Sequence, residues 1–294
     1  MPSFHHDETF ACQRLIQLAL DEDLDGQSDL TSEATIPADL TGQAVYVARS
    51  PGVLAGLPAA ALVLETVDAR LRFQPLVEDG SAVERGTRLA TVVGPMRSLL
   101  TAERTSLNFL QRLSGVATQT RRYVEVVAGL PCRILDTRKT TPGWRLLEKY
   151  AVRCGGGYNH RMGLYDGMLI KDNHLAALPV ADRAGKIAEA LRRARAAVGT
   201  SKPVEIEVDD LEQFDVALAH GPDIILLDNM SPDLMREAVA RRNARAPRVQ
   251  LEASGGITLQ TLRAIAETGV DRISVGALTH SAVALDIALD YAER

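Results

Sequence analysis

Three cysteines in 294 residues, Cys12, Cys132 and Cys154, are too few and too widely spaced for a disulfide framework. They form no CxxC pair, which disfavours a structural zinc site, and they fit a reducing cytosol. No apolar run approaches the ~20 residues a membrane span needs. The first residues, Met1 to Glu8, are polar and carry His5, His6 and Asp7, with no apolar signal-peptide core behind them. Positive charge is in deficit: 33 Lys/Arg against 38 Asp/Glu leave a net charge of −5. That balance argues against nucleic acid or a membrane surface as the main partner. Repeats and low-complexity segments are missing too, which excludes solenoids and disordered tails. With 46% hydrophobic and 24% charged residues, the chain has the makings of a sizeable globular core in one large or two smaller domains.

The charge is distributed unevenly. Between Arg138 and His174 stand seven Lys/Arg (Arg138, Lys139, Arg145, Lys149, Arg153, Arg161, Lys171) against three acids (Glu148, Asp166, Asp172). A local excess of four positive charges in an acidic chain points to an anion site. Arg145, Lys149 and Arg153 are spaced by four, which predicts one solvated side of a helix for those three.

The N-terminal ~110 residues mix helix and strand periods, as in an α+β layer domain. Thr9–Leu24 is expected to be a helix with Phe10, Leu15, Leu18 and Ala19 inward. Strands are expected at Gly42–Arg49 and Arg70–Pro75 and within Gly80–Val93, and a helix at Leu57–Val67. A long helix follows over Ser98–Ala128, with a bend or break near Ser114-Gly115. After Leu130, short apolar runs alternate with helices. The runs are Arg133–Asp136, Gly167–Lys171, Pro203–Val208, Asp223–Asp228, Arg248–Ala253 and Asp271–Val275. Helices are expected at Trp144–Cys154, Val180–Val198, Leu211–His220, Pro232–Arg245 and Thr258–Thr268, with a last one at Ser281–Tyr291. Such repeated strand–helix units favour a parallel sheet. A β/α barrel is preferred to an open sheet, because every polar cluster falls at the C-terminal end of a strand, where barrels build active sites.

Those clusters divide chemically into two halves. Arg138, Lys139, His160, Arg161 and Lys171 supply cations, and arginine grips carboxylates and phosphates in bidentate fashion. Glu205, Glu207 and Asp209 share one strand face; in a parallel sheet covered on both sides, Glu205 and Glu207 need cationic or metal partners. Glu207 and Asp228 are hard oxygen ligands suited to Mg²⁺ held with water and substrate phosphates. Ser254, Gly255, Gly256 and Gly276 lead into helix N-termini that favour phosphate. Singly each signal is weak: a triple glycine such as Gly155–Gly157 is usually a turn, and a strand-end Asp often caps a helix. Together they call for a polyanionic aromatic acid and a magnesium-bound phosphorylated sugar.

The run DTRKTTPGWRLLEKYAVRCGGGYNHRMGLYDGMLIKDNH (Asp136–His174) resembles the signature of the quinolinate phosphoribosyltransferases, a type II phosphoribosyltransferase family. TAERTSLNFLQRLSGVAT (Thr101–Thr118), VEIEVDDLEQ (Val204–Gln213), IILLDNMSP (Ile224–Pro232), LEASGGI (Leu251–Ile257) and ISVGALTHS (Ile273–Ser281) extend it in order. The resemblance implies an α/β fold, with an N-terminal α/β sandwich (1–114), an incomplete β/α barrel (115–278) and a C-terminal helix (279–294) packing back on the sandwich. It implies decarboxylating phosphoribosyl transfer from phosphoribosyl pyrophosphate to quinolinate, giving nicotinate mononucleotide in NAD biosynthesis. By motif position, Arg104, Arg138, His160, Arg161 and Lys171 would bind quinolinate. Thr137, Lys139, Glu207, Asp228, Ser254, Gly255, Gly256 and Gly276 would hold phosphoribosyl pyrophosphate and Mg²⁺, with Glu207 and Asp228 as the metal ligands. It also implies a cytoplasmic homodimer in which Arg104 enters the neighbouring subunit's site. Other readings are a phosphoribosyltransferase with a different acceptor, an aldolase using Lys171 as a Schiff-base nucleophile, and a non-catalytic anion-binding barrel.

Overall fold

The structure, a computed structural model, describes residues 3–291. In chain order the elements are α1 (His6–Leu24), α2 (Leu30–Thr35), β1 (Thr41–Ala48), β2 (Gly52–Val53), α3 (Leu57–Val67), β3 (Arg72–Pro75), β4 (Ala82–Val83), β5 (Arg88–Pro95) and α4 (Met96–Val126). Strands and helices then alternate: β6 (Arg133–Leu135), α5 (Arg145–Cys154), β7 (Met168–Ile170), α6 (Asp172–Ala176), α7 (Arg183–Val198), β8 (Val204–Val208), α8 (Leu211–Ala219), β9 (Ile224–Asp228), α9 (Pro232–Arg245), β10 (Gln250–Ser254), α10 (Leu259–Ala266) and β11 (Arg272–Ser274). The last two are α11 (Ala277–His280) and β12 (Ile287–Tyr291). No helix among the described residues is long and apolar enough to cross a membrane.

The chain divides into two compact units. The first comprises the residues up to Arg121, Lys139–Gly157 and those from Ala277 onward. Its antiparallel sheet has the order β12-β1-β5-β3, and β2 pairs with β4 as a separate ribbon. In the same unit α3 packs on β3, and α1 packs on α3 and α5. The second unit comprises Arg122–Arg138 and Tyr158–Gly276. Its six strands are parallel, in the order β6-β11-β10-β9-β8-β7. The outermost strands β6 and β7 each have one strand neighbour in this sheet, so the barrel is incomplete. Ile224, Ile225, Leu226 and Leu227 of β9 are all buried, as expected for a central parallel strand with both faces covered. Asp136, Lys171, Asp228 and Ser254 end or directly follow strands and Gly276 lies two residues past β11, so the C-terminal ends carry the polar clusters.

Four expectations are corrected. Helix α1 turns another face inward: Glu8, Cys12, Ile16 and Leu20, spaced by four, are buried, whereas Phe10 and Leu18 are exposed. An ion pair sets that rotation, with Arg153 Nη2 2.7 Å from Glu8 Oε1. The supposed solvated side of α5 is the second error. Lys149 is fully buried, Arg153 holds Glu8, and Arg145 Nε donates to Thr140 Oγ1 at 3.1 Å. Helix α5 is packed by both α1 and α11, which leaves its cations little water.

The third is the break at Ser114-Gly115, which does not occur, because α4 is continuous through it. Gly115 serves a close approach instead: a Cβ there would lie 2.1 Å from the Val283 carbonyl oxygen. The fourth is the C-terminal helix. Residues Ile287–Tyr291 form a strand whose Tyr291, Leu289 and Ile287 lie opposite Ala44, Tyr46 and Ala48 of β1. Leu285, Ile287 and Leu289 are buried at a period of two; the edge of β1 pairs with Ile287–Tyr291, and Leu285 N–H donates to the Gln111 carbonyl at 3.0 Å.

Candidate active site

The site is built where the chain returns alongside β6. Tyr158 N–H donates to the Ile134 carbonyl at 2.8 Å, and Asp136 N–H donates to the Tyr158 carbonyl at 3.1 Å. Asp136 is wholly buried, and its carboxylate accepts from Asn159 Nδ2 at 2.6 Å and from His160 N–H at 2.9 Å. This acid at the first strand end ties down the backbone that presents His160 and Arg161. The next turn is closed locally: Arg161 Nη1 donates to the Gly167 carbonyl at 2.9 Å, and Asp166 accepts from Met162 N–H at 2.9 Å.

Two guanidinium groups stand close enough to feel each other. Burial lowers the Arg161 pKa, the Arg138 charge lowers it further, and Glu205 opposes both. A cation whose charge is opposed by burial and by a neighbouring cation is one that an anion would relieve. Lys171, at the end of β7, reaches Glu207 of β8, with Nζ 2.5 Å from Oε2. Its side chain is 45% exposed, which denies it the apolar pocket that a Schiff-base lysine needs. His174 accepts the Lys171 backbone N–H at 2.9 Å and so caps α6.

Beneath these groups is a buried ionic cluster. His160 Nε2 lies 3.2 Å from Glu205 Oε2 and 3.4 Å from Glu252 Oε1, and Arg272 Nε pairs with the other Glu252 oxygen. Burial weighs against a charged His160 ring, but the two carboxylates outweigh it and push its pKa up to about 9. Burial and the neighbouring Glu252 raise the Glu205 carboxyl above its usual range. Despite burial, His160 and Arg272 hold Glu252 below that range. Sequence reasoning had flagged Glu205 but missed Glu252 and Arg272. The signal was present, since Glu252 is an acid inside the apolar strand Leu251–Ala253.

On the neighbouring strands, Asp228 and Ser254 are register partners, and Asn229 N–H donates to the Ser254 carbonyl at 3.0 Å. Asn229 adopts φ +52° and its Nδ2 donates to Asp228 at 2.9 Å. Gly255 has φ +92°, and a Cβ there would meet Asn229 Oδ1 at 2.2 Å, so only glycine fits. Gly256 is also left-handed, at φ +60°. Among the described residues, His160, Glu205 and Glu252 have ligand atoms within 4.8 Å of one another, as a shared ion would require. The expected pair Glu207 and Asp228 is not in that group; it offers two carboxylates on adjacent strands β8 and β9, one ion-paired with Lys171.

The second unit thus contains Thr137, Arg138, His160, Arg161, Lys171, Glu207, Asp228, Ser254, Gly255, Gly256 and Gly276. Arg104, exposed on α4, and Lys139 belong to the first unit. There, Thr279 Oγ1 donates to the Lys139 carbonyl at 2.7 Å. The triple glycine is a packing device: a Cβ on Gly155 would lie 2.5 Å from the Ala117 carbonyl oxygen.

Residues 29–114 match the family described as Quinolinate phosphoribosyl transferase, N-terminal domain, and residues 116–290 match its C-terminal domain. This chain belongs to the quinolinate phosphoribosyltransferase family. It is 49% identical over 282 residues to the nicotinate-nucleotide pyrophosphorylase [carboxylating] of Mycobacterium leprae, covering 95% of this chain and 97% of that one. Identity to a probable enzyme of the same name from Bacillus subtilis is 45%, covering 90% of this chain and 88% of that one. The solved nicotinate-nucleotide pyrophosphorylase of Francisella tularensis superposes with a TM-score of 0.87 at 39% identity, covering 96% of each chain. The N-terminal α/β layer and the incomplete barrel are therefore the family's fold.

Proposed function

We propose that this quinolinate phosphoribosyltransferase family member carries out decarboxylating phosphoribosyl transfer, converting quinolinate and phosphoribosyl pyrophosphate into nicotinate mononucleotide, pyrophosphate and CO₂. The observation that carries this is the set of cations that the second unit of this family member presents at its strand ends, Arg138, Arg161 and Lys171, with His160 and Lys171 braced by Glu205 and Glu207. Such a set suits a compact dianion such as an aromatic dicarboxylate. Arg138, Arg161, Lys171 and His160 orient quinolinate so that its ring nitrogen faces the ribose C1. Lys139, Thr137 and the Ser254–Gly256 turn, with Gly276, hold the sugar pyrophosphate.

As pyrophosphate leaves, C1 gains oxocarbenium character, so the side chains mainly position the reactants and offset the departing charge. The alkylated ring is then a pyridinium, which accepts the electron pair released when the adjacent carboxylate departs as CO₂; a proton takes its place. No nucleophile is assigned. Burial pushes the thiols of Cys12, Cys132 and Cys154 up to about 12, which leaves them unreactive. Glu207 and Asp228 are the residues that would hold Mg²⁺, which supplies charge neutralisation at the leaving pyrophosphate.

We further place the enzyme in the cytoplasm as a homodimer with shared sites, Arg104 serving the neighbouring subunit. The exposed Phe10, Leu18 and Leu30 of the first unit and Leu164 and Tyr165 of the second support this, because large apolar side chains left in water favour a covering partner. The deciding experiment offers quinolinate and nicotinate separately with phosphoribosyl pyrophosphate and Mg²⁺. CO₂ release with quinolinate and no product with nicotinate is expected; turnover of nicotinate alone would assign a different acceptor.

A further inference from the structure

The buried cluster of His160, Glu205, Glu252 and Arg272 is costly as a purely structural element. Glu205 is 2% exposed and Glu252 fully buried. Glu205 Oε1 has no hydrogen-bond partner among the described residues, and Glu252 Oε1 has only the 3.4 Å ion pair with His160. A buried polar atom without a full set of partners destabilises the fold, more so when charged, whereas the aliphatic neighbours on the same strands cost nothing of the kind. Stability alone does not account for two such acids on β8 and β10.

A metal ion does not account for them either. Arg161 N–H donates to His160 Nδ1 at 2.7 Å, so in the neutral ring Nδ1 is the acceptor and the proton sits on Nε2, facing the glutamates. The two glutamates favour a charged ring, but its Nδ1 would be a donor and could not accept this bond; the 2.7 Å contact marks the neutral ring with its proton on Nε2. A histidine that ligates through Nε2 needs that nitrogen bare and its other N–H donated outward, the reverse of what is found here.

What the cluster does is hold one imidazole in one orientation. Glu205 and Glu252 grip Nε2, Arg272 braces Glu252, and Nδ1 in turn holds the backbone of Arg161. We propose that Glu252 and Glu205 are positioning residues which, through His160, fix Arg161 for recognition of the substrate's carboxylates. This rests on the assignment of Arg161 to the quinolinate site.

The test measures both Michaelis constants and Tm for Glu252→Gln, alone and in a His160→Asn background. Glu252→Gln is expected to raise KM for quinolinate at least ~10-fold, since 1.4 kcal/mol is tenfold. KM for phosphoribosyl pyrophosphate should change less than ~2-fold, Tm should fall only slightly, and Glu252→Asp should restore part of the loss. In the His160→Asn background the same change should add less than ~2-fold, because the effect runs through the imidazole. A folded Glu252→Gln enzyme with unchanged quinolinate KM would overturn the proposal. So would full additivity with His160→Asn, or stoichiometric metal in the purified protein that Glu252→Gln releases. If Glu252→Gln does not fold, Glu205→Gln is read in the same way. Arg161→Ala separates the two levels: if it keeps wild-type quinolinate KM, the site assignment fails; if it loses affinity while the glutamate variants do not, only the positioning role fails.

Discussion

Two sets of cations share the stretch from Arg138 to His174, and they lie in opposite surroundings. Arg145, Lys149 and Arg153 belong to a helix covered by other helices: Lys149 is fully buried and Arg153 is paired with a buried Glu8. Arg138, Arg161 and Lys171 stand at strand ends, where Arg138 is exposed and Lys171 nearly half exposed. The first set is taken up by packing and hydrogen bonds within the fold. The second has carboxylates behind it, Glu205 and Glu207, and an open side in front. A cation is therefore classified by what faces it: spacing of four along a helix says which residues share a side, not whether water reaches that side.

The largest effect should separate the carboxylates of the strand mouth from those of the helix. Excess EDTA is expected to abolish turnover without lowering Tm, since Glu207 and Asp228 are the proposed metal ligands whereas Glu148 of α5 is neutralised by Arg112. Full turnover in EDTA would remove the metal from the mechanism. Next, Arg138→Ala and Arg161→Ala are each expected to weaken quinolinate binding by ~2–5 kcal/mol, the usual loss for one partner of a desolvated charge pair. Calorimetry would show this, and unchanged affinity in both would place quinolinate elsewhere.

Lys149→Ala should do the converse. Removing a fully buried cation from its partners is expected to destabilise the fold by ~3–5 kcal/mol, with both Michaelis constants intact in the protein that remains folded. Chemical denaturation gives the figure; a change near zero would return Lys149 to a solvated face. A smaller signal comes from mixing inactive Arg104→Ala with inactive Lys171→Ala under subunit exchange. In a shared-site dimer, one site of each mixed dimer carries both defects and the other neither, so about half of those sites should recover. No recovery after confirmed exchange would put Arg104 in its own subunit's site or in none. The smallest effect is expected at Arg145, which donates a hydrogen bond to the neutral hydroxyl of Thr140. Arg145→Ala should cost ~0.5–1.5 kcal/mol and leave activity in place, and a loss of quinolinate affinity would merge the two cation sets.

Much of this protein was determined by its sequence alone. Alternation of short apolar runs with helices defines the parallel sheet, and the polar residues after each run mark its functional end, because both follow from local periodicity and chain order. Arg138, His160, Arg161, Lys171 and Glu207 were legible as a candidate site because they fall in the polar stretches beside the strand ends, while only Glu207 lies within a strand. Tertiary structure alone decided which faces were covered. The inward turn of Glu8 on α1, the burial of Lys149, the unbroken α4 at Gly115 and the pairing of Ile287–Tyr291 with β1 all depend on a partner distant in the chain. So does the union of His160 with Glu205 and Glu252, carried by two strands with β9 between them. Burial and pairing are properties of two segments at once, and no periodicity within one segment encodes the other.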